Sequence, residues 1–170
     1  FGFSYHDLYL SPDVSVTMGA DGEKFFNIRT FNEQRNTERA LVSYAFAPQA
    51  TKLTVEARMS FNEAEWGKFY ILNEYGDNAV CLAFEFAYNR YNLVAYDRGA
   101  KKTVAAYERN VPVDVKLEID VAANTYDVSV AGQKVAEGFA FRNASDRVGE
   151  VIFGSAARDA DMRVYELKAY

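Results

Sequence analysis

Residues 116–135, KLEIDVAANTYDVSVAGQKV, alternate apolar and polar side chains, stop at Ala122-Ala123-Asn124, and then alternate again up to Ala131-Gly132. A repeat of two places successive side chains on opposite faces of an extended chain, so each run reads as a strand. Asn and Gly tolerate positive φ, which tight hairpins demand, so the breaks read as turns. The stretch is therefore a pair of antiparallel strands with one dry and one wet face.

The same pattern extends in both directions. Residues 113–121 set Val113, Val115, Leu117, Ile119 and Val121 against Asp114, Lys116, Glu118 and Asp120. Residues 52–61, KLTVEARMSF, set Leu53, Val55, Ala57, Met59 and Phe61 against Thr54, Glu56, Arg58 and Ser60. Residues 79–88 set Val80, Leu82, Phe84, Phe86 and Tyr88 against Cys81, Ala83, Glu85 and Ala87. Fainter strand patterns occupy 25–31, 41–47, 68–74, 91–98, 102–107, 125–131, 133–137, 148–154 and 162–169. Turn chemistry separates them at Asp21-Gly22, Tyr75-Gly76-Asp77-Asn78, Asn89-Arg90 and Arg98-Gly99. Helical turns are expected only in 32–40 and near 156–160. Many short strands without a long helical period indicate an all-β chain, two antiparallel sheets stacked as a sandwich.

Composition agrees. Of 170 residues 49% are hydrophobic and 15% aromatic, with twelve Tyr and thirteen Phe but three Met, a balance that favours strands. There is no internal repeat, low-complexity tract or linker, so residues 1–170 are expected to form one domain. A chain beginning at Phe1 suggests a piece of a longer protein. The net charge of −5 argues against a nucleic-acid or anionic-membrane surface. No apolar run approaches the roughly 20 residues of a membrane span. The single cysteine, Cys81, has no internal disulfide partner, and no Cys/His spacing suggests zinc.

The wet faces differ. That of 113–121 is charged and needs water, which suits an outer, convex sheet. That of 79–88 carries the short Cys81, Ala83 and Ala87 around Glu85. Such a surface either receives a ligand, as a concave sheet would, or lies beneath a loop or terminal segment.

The succession KFYILNEYGDNAVCLAFEF, YNLVAYD, VPVDVKLEIDVAANTYDVSVAGQKV, VGEVIFGS and MRVYELKAY, over residues 50–170, resembles the concanavalin-A-like, laminin-G-like jelly roll. The hairpin at 116–135 carries most of the likeness, and residues 1–49 would supply the opening strands. Bacterial members of that superfamily are often glycan-binding modules of polysaccharide-degrading enzymes, and others are hydrolases or lyases. The resemblance implies a secreted, periplasmic or cell-surface chain whose partners are a polysaccharide or oligosaccharide and a catalytic domain of the same protein. It also leaves room for a structural calcium, for which Asp21, Glu23, Asp77, Asn78, Asp159 and Asp161 are the candidate ligands without forming a loop signature.

Catalysis makes stricter demands than binding. A glycoside hydrolase needs two carboxylates facing one cleft. Glu118 and Asp120 match only part of the E-x-D-x-x-E strand of jelly-roll glucanases and share a solvated face with Asp114 and Lys116. Glu56 and Glu85 could meet only if strand order joins them. A polysaccharide lyase needs a Tyr or His base beside groups that neutralise a uronate. The single histidine is His6, and the R-S-E-L-R and Q-I-H strands of alginate-lyase jelly rolls are absent. The expectation is a noncatalytic carbohydrate-binding or accessory domain, with a lyase or hydrolase as the alternative and a purely structural sandwich as the third reading.

Aromatic faces stack on the apolar side of a pyranose, while amides, carboxylates and guanidinium groups bind its hydroxyls. The candidate ligand-binding residues are Arg58, Trp66, Tyr70, Glu85, Tyr91, Asn92, Tyr96 and Arg98, with Asn73, Tyr75, Tyr88 and Arg90 nearby in sequence. Arg58 and Glu85 are expected together on the concave face. Trp66 is either a loop-tip platform or a plug at the sandwich end. Tyr91 and Tyr96 have an alternative reading as a packed cross-strand pair. Arg29, Arg35, Arg39 and Arg58 could converge on a uronate or sulfate, or serve as solvated charge among Glu33, Glu38 and Glu56. Asn143-Ala144-Ser145 is a glycosylation sequon, used only in a eukaryotic secretory route.

Overall fold

The computed structural model describes residues 3–6, 13–20, 22–29, 40–62, 67–87, 90–155 and 160–170. The strands are β1 (Phe3–His6), β2 (Asp13–Met18), β3 (Lys24–Arg29), β4 (Ala40–Gln49), β5 (Lys52–Phe61), β6 (Gly67–Asn73) and β7 (Asn78–Ala87), followed by β8 (Arg90–Asp97), β9 (Ala100–Ala106), β10 (Val113–Asp120), β11 (Thr125–Val130), β12 (Gln133–Ala140), β13 (Val148–Ser155) and β14 (Asp161–Ala169). They form two sheets, β1-β4-β13-β6-β7-β8-β9 and β12-β11-β10-β5-β14-β3-β2, antiparallel at every pairing. The expected helical turns at 32–39 and 156–159 lie outside the described residues, and Ala40 opens β4. No described helix is long and apolar enough to cross a membrane.

Alternation fixes what each strand buries. Leu53, Val55, Ala57, Met59 and Phe61 of β5 face Val80, Leu82 and Phe84 of β7 across the core, with Val115, Leu117 and Ile119 of β10 beside β5. From Ala79 to Phe84 strand β7 is dry on both sides, since Cys81 and Ala83 on its outer face are also buried. That explains why its sequence reads as a nearly continuous apolar run.

Contacts through the core and at an edge tie the sheets together. The Tyr126 hydroxyl, on β11, donates to the Tyr96 carbonyl oxygen on β8 at 2.6 Å through the core. At the β8/β12 edge the Ala140 amide donates to Asp97 Oδ1 at 3.0 Å, and the Arg98 amide donates to the Ala140 carbonyl oxygen at 3.0 Å.

The opening stretch behaves as its punctuation predicts. Asp120 Oδ1 accepts from the Ala123 amide at 2.9 Å, and Asn124 adopts φ 55° to close the β10–β11 turn. Ala131 takes φ 48° before Gly132 in the β11–β12 turn. An L-residue with a Cβ is strained in that left-handed region, and this side chain is exposed. Ala131→Gly is therefore expected to stabilise the fold by about 0.5–1 kcal/mol. A urea midpoint that fell instead of rising would show that the turn carries no such strain.

Candidate functional site

The outer face of the first sheet is assembled by register. Lys68 and Tyr70 of β6 lie opposite Ala83 and Cys81 of β7, and Ala83 and Glu85 lie opposite Val94 and Asn92 of β8. Tyr96 of β8 lies opposite Lys101 of β9. The period of two places Arg90 on this same face of β8. Cys81, Ala83, Val94 and Tyr96 form a small apolar cluster with Tyr70 against it, separate from the main core. Short side chains thus make a floor, with two tyrosine rings standing on it.

The loop after β12 adds a residue. The Arg142 amide donates to the Ala79 carbonyl oxygen at 2.8 Å, which draws residues 141–147 from the second sheet over the end of the first. Asn124 anchors that loop, because its Oδ1 accepts from the Ser145 amide at 2.6 Å and its carbonyl oxygen accepts from the Phe141 amide at 2.9 Å. The Arg142 guanidinium then lies over Tyr96, 5.4 Å from the ring centroid. Lys101 Nζ sits 5.8 Å from the same centroid and is held by Glu85 Oε1 at 2.6 Å. Lys68 Nζ lies 5.8 Å from the Tyr70 ring centroid.

The environment sets protonation. Burial pushes the Tyr70 hydroxyl above the usual tyrosine range, with Cys81 and Tyr96 adding to the shift and Arg142 opposing it. Burial pushes the Cys81 thiol up to about 11 against the pull of Arg142, so it is a protonated apolar floor residue at neutral pH. The hydrogen bond that Lys101 donates to Glu85 raises its ammonium above the ordinary lysine range.

The expected ligand residues do not all meet. Tyr70, Glu85, Asn92 and Tyr96 share this face. Tyr96 is only 7% exposed, so it supports Arg142 and Lys101 and is not itself an open platform, whereas Tyr70 is half-buried. Tyr91 points inward, packing 5.5 Å from the ring of Tyr107. Arg98 occupies the β8–β9 turn at φ 51°. Trp66 and Tyr88 lie outside the described residues. Lys68, Lys101 and Arg142 were not foreseen. The first two follow from hairpin register, which pairs Tyr96 with Lys101 across Arg98-Gly99, but the loop position of Arg142 has no periodic signal.

Arg58 requires a correction. It was expected beside Glu85, but β5 pairs with β10 and β14 in the second sheet, so Arg58 and Glu85 are on opposite sides of the sandwich. Arg58 binds Glu23 at 2.8 Å, approaches Asp114 at 3.8 Å and lies 5.6 Å from the Tyr165 ring centroid. Arg29 contacts Asp161 at 3.4 Å, and Arg163 does so at 3.1 Å. Arg29 and Arg58 are thus absorbed into ion pairs, and Arg35 and Arg39 lie outside the described residues. The same strand order separates Glu56 from Glu85.

Among the described residues no three His, Cys, Asp or Glu side chains converge as metal ligands. Asp21 and Asp159 of the calcium candidates lie outside those residues, as does the side chain of His6. Asn143 is exposed, and its side-chain Nδ2 donates to the Asn78 carbonyl oxygen at 2.9 Å. A separate cleft of about 250 Å³, lined chiefly by Val16, Phe26, Phe153, Val164 and Leu167, shares none of these side chains.

Two seven-stranded antiparallel sheets in this order form a jelly-roll sandwich with the concanavalin-A-like fold. Solved structures with that fold superpose on nearly the whole chain. A sialidase matches at TM-score 0.79 and 13% identity over 99% of this chain, which spans 17% of the sialidase. An alginate lyase from Alteromonas sp. 272 matches at TM-score 0.62 and 9% identity, over 99% of this chain and 93% of the lyase. The carbohydrate-binding module CBM66 from Bacillus subtilis matches at TM-score 0.61 and 10% identity, over 99% of this chain and 94% of the module. No family model and no curated protein matches the sequence. Identities this low establish the fold and leave the activity to the site.

Proposed function

We propose that the chain is a noncatalytic carbohydrate-binding domain of a secreted or surface glycan-processing protein, and that it receives saccharide on the outer face of the first sheet. The observation that carries this reading is the floor of Cys81, Ala83 and Val94 beneath the half-buried Tyr70 ring, bordered by Asn92, Lys68 and Arg142. Tyr70 offers a stacking surface for a pyranose, and the bordering groups donate to its hydroxyls. A carbohydrate-binding module, an alginate lyase and a sialidase on the same fold support a glycan as the ligand class.

Chemistry on this face is less well supported. Glu56 and Glu85 lie on opposite sheets, and Glu118 shares the second sheet's outer face with Lys116, so neither pairs with Glu85 across one cleft as hydrolysis requires. A hydroxyl driven upward by burial is a poor base for a lyase, and this is the state of Tyr70. Calorimetric titration of the chain with a panel of neutral and acidic polysaccharides is expected to show binding. Parallel assays for unsaturated product by ultraviolet absorbance and for reducing ends should both stay flat. Turnover would make the domain an enzyme, and silence across the whole panel would leave a structural sandwich that orients a neighbouring catalytic domain.

A further inference from the structure

Building on the saccharide-binding reading of this face, we infer that its ligand is an acidic saccharide, one bearing a carboxylate or a sulfate ester on the sugar ring. The chain carries a net charge of −5, yet Lys68, Arg90, Lys101 and Arg142 all belong to this one face. Among the described residues, the register also sets on this face Glu85, already joined to Lys101 at 2.6 Å, and Glu150, which lies on β13 opposite Leu72. On the outer face of the second sheet Arg58, Arg29 and Arg163 pair with Glu23, Asp114 and Asp161, and Lys116 with Glu118. Among the described residues, four cations are thus gathered on one face of an acidic protein.

Placement also matters. Arg142 lies over Tyr96 and Lys68 over Tyr70, and Arg142 also hydrogen-bonds Cys81, so both cations stand at the Cys81 floor. An anionic group on a sugar stacked against Tyr70 would lie between a planar guanidinium fork, suited to two-pronged carboxylate or sulfate binding, and a compact ammonium. The apolar floor excludes water on one side and so strengthens both attractions.

The test compares three polymers with a shared galactose skeleton, titrated calorimetrically into the full chain: polygalacturonate, a sulfated galactan and a neutral galactan. At least one acidic polymer should bind roughly tenfold or more tightly than the neutral one, and its affinity should fall as added salt shortens the screening length from about 10 Å toward 3 Å. Arg142→Ala and Lys68→Ala should each weaken acidic binding roughly 10- to 100-fold, the range for hydrogen bonds to charged groups, with unchanged melting temperatures. Which acidic polymer binds separates carboxylate from sulfate recognition. Equal or tighter binding of neutral galactan, insensitive to salt, would overturn the charge inference while leaving the saccharide reading standing. Absence of binding to all three would overturn the inference too, and the broader neutral panel would then decide the saccharide reading alone.

Discussion

Phe84→Ala should lower the free energy of unfolding by about 3–5 kcal/mol, the usual cost of deleting a fully buried aromatic ring. Phe84 is 1% exposed and sits where the two sheets and the β9–β10 crossover meet. Its ring centroid lies 5.8 Å from that of Phe61, on the facing sheet, and 5.0 Å from that of Tyr107, edge to face at 84°. Tyr107 is fixed in turn by its amide, which donates to the Tyr91 carbonyl oxygen at 3.1 Å. The void cannot close by simple collapse, because β7 is hydrogen-bonded to a neighbour on each side and β5 likewise. Gly67 shows how tightly the site is filled. A Cβ there would lie 2.9 Å from Phe84 Cβ and 3.1 Å from the Phe61 ring. Alanine at 84 keeps its own Cβ, so the variant removes only the ring and isolates the packing loss. Urea denaturation is the measurement, and a change below about 1 kcal/mol would mean that this junction does not hold the sheets together.

That junction also shows what the sequence can and cannot reveal. The alternation in 52–61, 79–88 and 113–121 names the inward residues of β5, β7 and β10, because a strand's period is local to it. Sheet membership is not local. Nothing in KLTVEARMSF says that β5 pairs with β10 and β14 instead of β6 and β7, so Arg58 was expected on the wrong face. Neighbours joined by tight turns are legible, as Tyr96 and Lys101 are, whereas partners brought together by crossovers are not. Strand β2 illustrates a different gap. DVSVTM alternates, yet it lies at a sheet edge where Val16 and Met18 are 70% and 62% exposed, so its pattern is not reinforced by burial.

Arg142 is the residue that periodicity could not have found. Its position depends on a chain of non-local bonds. Asn124, in the very turn that interrupts KLEIDVAANTYDV, holds Ser145 and Phe141, and the Ala79 carbonyl then fixes the Arg142 amide. The residue that closes a hairpin on the second sheet thereby aims a cation at the first. Fold and candidate site are thus coupled through one asparagine.

Tyr70→Ala should weaken saccharide binding by about 2 kcal/mol, roughly thirtyfold, while Arg58→Ala should leave it unchanged. The contrast follows from strand order alone. Both residues point away from the core, but Tyr70 belongs to the first sheet and Arg58 to the second, and packed sheets stand about 10 Å apart before their outward side chains are added. No single sugar ring can touch both. Tyr70 is half-buried against the Cys81 floor, so its ring is held in place at little entropic cost and presents its free area to a ligand. Tyr96→Phe should have a small effect, because Arg142 and Lys101 lie over its ring and its anchor to Tyr126 is a backbone carbonyl that phenylalanine retains. Titration of these variants with the tightest-binding polysaccharide from the panel is the check. If Arg58→Ala weakened binding as much as Tyr70→Ala, with both proteins folded, the ligand could not be confined to the first sheet's outer face, and the site would have to be sought where both sheets are within reach, at an edge of the sandwich.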